Sequence, residues 1–193
     1  MICGEYLNSE MYICEDCLKN LELHKNESKT SLSVFAYNSS IKLLIHELKY
    51  NNRPEIGYIL GKEMGKRLKE YLITENAVLI PVPLHKKRLR KRGYNQSEKI
   101  CEGLSEVTGI KVNKDLLFRR INNISQTKLN AHNRAENVKG IFSFSGYELD
   151  KETHIILVDD LITTGATSKE ASSVLKNNGF GNFFAMSVAT STK

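Results

Sequence analysis

Ile155-Ile156-Leu157-Val158-Asp159-Asp160-Leu161-Ile162-Thr163-Thr164-Gly165-Ala166-Thr167 runs from four apolar residues through two acids into a hydroxyl-rich turn. The apolar run has the character of a strand covered on both faces, as in a parallel sheet. Thr167 with Glu170 three residues on predicts a capping box opening the next helix. An anion site is expected between strand and helix. Thr163, Thr164 and Thr167 offer hydroxyls, Gly165 and Ala166 leave the backbone accessible, and a helix start presents N–H groups at the positive end of its dipole. Asp159 and Asp160 would repel a phosphate. Just before the turn, they suit a neighbouring group that donates hydrogen bonds, and ribose 2′ and 3′ hydroxyls fit that description.

Other nucleotide motifs are missing. No G-x-x-x-x-G-K-[ST] occurs, and no G-x-G-x-x-G follows a strand. With 193 residues, 40% of them hydrophobic and 26% charged, the chain can bury a core like an ordinary globular protein. There is neither an apolar run long enough to span a bilayer nor a basic-apolar-small leader, so a cytoplasmic protein without membrane insertion is expected. Lys and Arg outnumber Asp and Glu by 28 to 22, a net +6 that favours anionic partners and leaves phosphorylated sugars and nucleic acid both open.

Periodicity places strands at 32–37, 77–82, 111–118, 141–145, 154–159 and 183–189. Helices are expected after Ser39-Ser40, from Pro54 through Leu72, from an Asn95 cap with Glu98 three on to Gly109, and from Thr167 to Gly179. The alternation predicts an α/β fold with a mainly parallel sheet flanked by helices, whose ligands bind beyond the carboxyl ends of the strands.

Two further segments carry charge at those ends. Pro81-Val82-Pro83-Leu84-His85-Lys86-Lys87-Arg88-Leu89-Arg90-Lys91-Arg92-Gly93-Tyr94-Asn95-Gln96 sends a basic loop out of a strand, and His85, Lys86, Lys87 and Arg88 can clamp a diphosphate. A solvated charge run is the plainer alternative. Residues 125–142, with Gln126, Lys128 and Arg134, form a polar segment that also reads as a surface helix over 127–138 stopped by Gly140. Near the N-terminus, Cys14 and Cys17 form a C-x-x-C pair with Cys3 upstream, an incomplete zinc set because structural zinc needs four ligands. His24 is a substitute fourth ligand at unusual spacing, and a further Cys one position before Met1 would complete a first C-x-x-C. Cys101 lies alone in a helical pattern and is expected to be buried.

The 155–167 segment resembles the 5-phosphoribosyl-1-diphosphate (PRPP) motif of type I phosphoribosyltransferases, in which two acids hold the ribose and the following turn holds the 5′-phosphate. Adding Leu48-Lys49-Tyr50, Pro81-Val82-Pro83-Leu84, Arg92-Gly93-Tyr94-Asn95-Gln96, Gln126-Thr127-x-Leu129 and Arg134-x-x-Asn137, the chain resembles the competence protein F family over nearly its whole length. That resemblance implies a cysteine knuckle over 1–26 and a phosphoribosyltransferase-like domain over 27–193. It also implies PRPP bound with Mg²⁺, a mobile loop carrying Gln126, Lys128 and Arg134 that closes over the ligand, and zinc at Cys3, Cys14 and Cys17. Partners implied are transforming single-stranded DNA and competence-machinery proteins. Two functions stay open: a PRPP-binding competence factor, or an active transferase that passes phosphoribosyl to a base or amine and releases diphosphate.

Overall fold

A computed structural model describes residues 13–24, 28, 30–70, 75–121 and 140–191. Cys3 and the Gln126, Lys128 and Arg134 segment lie outside the described residues. The elements run α1 (Glu15–Lys19), β1 (Ser31–Ala36), α2 (Ser39–Tyr50), α3 (Pro54–Glu70), β2 (Ala77–Pro81), α4 (Lys86–Arg92), α5 (Gln96–Thr108), β3 (Lys111–Val112), β4 (Leu117–Arg119), β5 (Phe142–Phe144), β6 (His154–Ile162), α6 (Ala166–Asn177) and β7 (Phe183–Thr190). Five strands form a wholly parallel sheet in the order β1-β7-β6-β2-β3, and β4 pairs antiparallel with β5 in a second, small sheet. The α/β fold expected from the alternation is the fold observed.

Side chains alternate across the sheet and build two cores. Leu79, Ile156, Val158, Met186 and Val188 pack with buried residues of α2, α3 and α5. Their neighbours Val78, Ile80, Ile155 and Leu157 pack with Ala171 and Leu175 of α6 and with Phe142 of β5. The chain leaves β2 through α5 on one face and β6 through α6 on the other. Adjacent strands whose connections part in this way open a crevice at their carboxyl ends. Here the crevice has a second cause. The β2–β6 ladder ends at Pro81 opposite Val158, with a last bond from Val82 N–H to the Val158 carbonyl (2.9 Å). Pro83 has no N–H to continue it, while β6 stays paired with β7 as far as Ile162 opposite Thr190.

Four local expectations are corrected. The strand at 111–118 is two strands in different sheets, separated by a polar turn in which Asp115 N–H donates to Asn113 Oδ1 at 3.0 Å. The basic loop is mostly a short helix, α4, capped by His85, whose Nδ1 accepts from Lys87 N–H at 3.2 Å, and ended by Gly93 at φ 85°. The Thr167–Glu170 capping box does not form. Gly165, at φ 72°, is the N-cap of α6 without a side-chain cap, and Glu170 Oε1 accepts from Gly140 N–H instead. Finally, β6 runs past the acids to Ile162, so the pair sits inside a strand.

Candidate functional site

Asp159 and Asp160 occupy the part of β6 that β2 has abandoned. Asp160 points with Val158 toward α2 and α5 and is 2% exposed. Its Oδ1 accepts from Gln96 Nε2 at 3.0 Å, and its Oδ2 pairs with Lys49 Nζ from the end of α2. Burial alone would raise this carboxyl. The Lys49 charge and the hydrogen bonds from Lys49 and Gln96 outweigh it and hold Asp160 below the usual carboxylate range. Burial works against the Lys49 ammonium too, yet the two acids keep its pKa raised.

Asp159 is less well served. Oδ1 accepts from Asp160 N–H at 2.9 Å and from Ser97 Oγ at a long 3.4 Å. Burial, followed by the charge of Asp160, pushes its carboxyl up to about 7, against the opposing pull of Lys49. Asp160 is therefore engaged on both oxygens, and Asp159 is the acid with acceptor capacity to spare.

The segment that supplies Gln96 is tightly tied down. Asn95 caps α5 by accepting from Ser97 N–H at 3.1 Å, while its Nδ2 donates to the Val82 carbonyl at 3.1 Å. The Tyr94 hydroxyl donates to the Leu48 carbonyl, and Arg92 donates to Gln96 Oε1. Two sequence segments, 48–50 and 92–97, thus meet at the acid pair.

Beyond the acids, Thr163 and Thr164 lead through Gly165 into α6, whose first turn already contains Ala166 and Thr167. Gly165 adopts the left-handed conformation, Ala166 N–H lies 3.4 Å from Thr164 Oγ1, and Lys169 N–H bonds the Gly165 carbonyl at 2.9 Å. A helix start that follows a glycine and has no side-chain cap suits a phosphate.

Among the four residues of the anticipated diphosphate loop, Arg88 is half-buried and lines a cleft with Arg90, Lys91 and Arg92, whereas Lys86 and Lys87 are exposed and His85 serves as a cap. Arg119 of β4, not foreseen, stands near enough for the charges of Arg88 and Asp159 to act on it. Burial first, and then Arg88, lowers its pKa while Asp159 opposes the shift. Burial and Arg92 likewise lower that of Arg88. Guanidinium groups held close enough to repel one another mark a place where an anion is welcome. Lys49, Gln96, Ser97 and Arg119 are the site residues that the motif reading left without a role. Lys49 and Gln96 stood within quoted motif segments. Arg119 had no signal at all, since its place depends on the antiparallel pairing of β4 with the sequence-distant β5.

At the N-terminus, Cys14 caps α1 and its Sγ accepts from Cys17 N–H at 3.3 Å, the turn of a C-x-x-C knuckle. No group of three or more His, Cys, Asp or Glu positioned for a metal occurs among the described residues, so His24 does not complete a set with these two thiols there. Cys101 is fully buried, as expected, and burial pushes its thiol well up. Among the described residues no helix is long and apolar enough to cross a membrane.

No family model matches the chain. It is 32% identical over 156 residues to the DNA utilization protein YhgH of Salmonella typhi, a match covering 77% of this chain and 66% of that protein. It is 29% identical over 185 residues to competence protein F of Haemophilus influenzae, covering 92% of this chain and 78% of the relative. The chain thus spans about two thirds of the length of its YhgH relatives. Among solved structures, the allosteric regulatory enzyme of purine biosynthesis aligns with a TM-score of 0.46 at 21% identity, over 74% of this chain and 30% of that one. Glutamine PRPP amidotransferase from Bacillus subtilis aligns with a TM-score of 0.45 at 18% identity and the same coverage.

Proposed function

The chain belongs to the competence protein F family, and on that premise we propose that it binds PRPP as a phosphoribosyltransferase-like factor assisting the uptake or processing of transforming single-stranded DNA. One observation carries the reading. A half-buried acid with spare acceptor capacity and a helix opening after a left-handed glycine stand at the carboxyl end of β6, at the switch point of a parallel sheet, with Arg119 near enough for its charge to bear on the acid. In the crevice there the 5′-phosphate takes the Thr163–Thr167 turn, the ribose hydroxyls donate to Asp159, and the diphosphate turns toward Arg88 and Arg119. Asp160 acts as the anchor that keeps Lys49 and Gln96 in place beneath it. Mg²⁺ fits best on the diphosphate, since hard cations take oxygen ligands and Asp160 is already occupied; it supplies charge neutralisation there when bound. Zinc has two described thiols at the knuckle and no step depends on it.

The alternative, an active transferase, is favoured by Arg88 and Arg119, which are suited to stabilise departing diphosphate. Such a reaction needs positioning and charge stabilisation more than a base. A screen of bases and amines for diphosphate release separates the two.

Binding is tested by thermal unfolding with PRPP and Mg²⁺. At a hundredfold excess over the dissociation constant, stability should rise by about 2.7 kcal/mol. Asp159→Asn should abolish the rise while the protein stays folded. Unchanged PRPP affinity in that variant, measured by calorimetry, would remove the assignment.

A further inference from the structure

The end of α2 presents an aromatic ring beside two cations, Arg90 and Lys91, to which the PRPP reading gives no role. Tyr50 is 63% exposed. One turn earlier His46 lies against it, ring centroids 5.0 Å apart at 46°, and the Arg92 guanidinium sits 5.9 Å from its centroid. With Lys49, Arg88, Arg90 and Lys91 the ring lines a cleft of about 540 Å³ beside the acid pair. A single exposed tyrosine is unremarkable on any surface. This one is steadied by two neighbours and surrounded by positive charge. An acidic peptide would satisfy the cations and ignore the ring, whereas a nucleobase with flanking phosphates uses both, by stacking and by charge pairing.

We propose that the cleft between the end of α2 and α4 binds single-stranded nucleic acid, with Tyr50 as the platform for a base and Arg90 and Lys91 on the neighbouring phosphates. The inference deepens the DNA part of the function above and rests on it. Duplex is a poor occupant because its bases are already stacked on one another. Lys49 belongs to both places, lining the cleft and pairing with Asp160. Ligands at the two sites therefore sense one another's charge, and any such coupling is reciprocal.

The test titrates the full chain with fluorescein-labelled oligothymidylate at several salt concentrations. Tyr50→Ala should weaken binding about tenfold without changing the salt slope, and Tyr50→Phe should keep wild-type affinity. Arg90→Ala with Lys91→Ala should flatten the log–log slope by about 1.4. All three side chains are exposed, so thermal melting should be unchanged. Wild-type affinity in Tyr50→Ala, or equally tight binding of duplex, overturns the inference. No strand binding at low salt by a protein that PRPP still stabilises overturns it and leaves the PRPP reading standing. Tyr50-dependent strand binding by a protein that PRPP does not stabilise supports the inference and removes the PRPP reading.

Discussion

Two adjacent carboxylates here have pKa values moved in opposite directions, because alternation along β6 sends Asp160, and not Asp159, into the ion pair with Lys49. Asp159 titrates in the folded protein at about 7, against an ordinary 3.8. Between those values the folded state holds a proton that the unfolded chain has released, so raising the pH through this window lowers stability. Asp159→Asn should therefore melt higher than wild type at pH 8, by about 1–2 kcal/mol, with the gain fading near pH 4. Asp160 is the reverse case. Its lowered pKa gives stability that is present above the ordinary value and lost as the pH falls through the folded one. Asp160→Asn should cost about 2–3 kcal/mol at pH 7, since it leaves a largely buried Lys49 without its partner. Thermal melts of both variants across pH check the two signs, and two variants shifting the same way would refute the division. The strand that holds the acids and the helix that follows them were legible in the sequence. The division of labour was not, because Lys49 lies 111 positions before Asp160 and periodicity says nothing about such a pairing.

Helices α3 and α5 cross at backbone contact. A Cβ on Gly61 would meet the Ile100 carbonyl oxygen at 2.1 Å, and one on Gly103 would meet the Tyr58 carbonyl oxygen at 2.0 Å. Since α5 begins with Gln96 and Ser97, this crossing sets the height of the donors beneath the acid pair. Gly103→Ala must push the helices apart and should cost about 3 kcal/mol or more by chemical denaturation, despite the better helix propensity of alanine. A neutral or stabilising result would mean that the helices separate freely. The apolar face of α3 was readable from its period. The glycines at 57, 61 and 65, four residues apart on the same helix, were equally visible but have no hydrophobic signal, so attention to apolar spacing passes over them. The sequence of α4 predicts a loop because seven residues with a single apolar side chain, Leu89, carry no amphipathic pattern.

At the scale of the molecule, parallel strands and their alternation with helices followed from the apolar runs, but the order β1-β7-β6-β2-β3 did not, because crossovers set it and no single segment records it. The N-terminal piece is joined to this sheet. His24 N–H bonds the Val34 carbonyl at 3.0 Å and Ala36 N–H bonds the Glu22 carbonyl at 2.8 Å, which covers the outer edge of β1. With Cys14 and Cys17 as the described thiols, the whole chain should bind zinc weakly, at less than one ion per molecule after chelator treatment, by elemental analysis. Full, chelator-resistant zinc would show that further ligands complete the knuckle. The sheet also sets the dimensions of the site in a way that has nothing to do with charge. Since β2 stops at a proline while β6 keeps its place beside β7, the crevice is an unzipped seam whose depth is counted in missing rungs. Two extra strand residues inserted ahead of Pro83 would let main chain close that seam. Such a protein would keep every acid, threonine and arginine of the site and, on the PRPP binding proposed above, leave no room for the ribose, so that reading makes the length of β2 as much a determinant as any side chain.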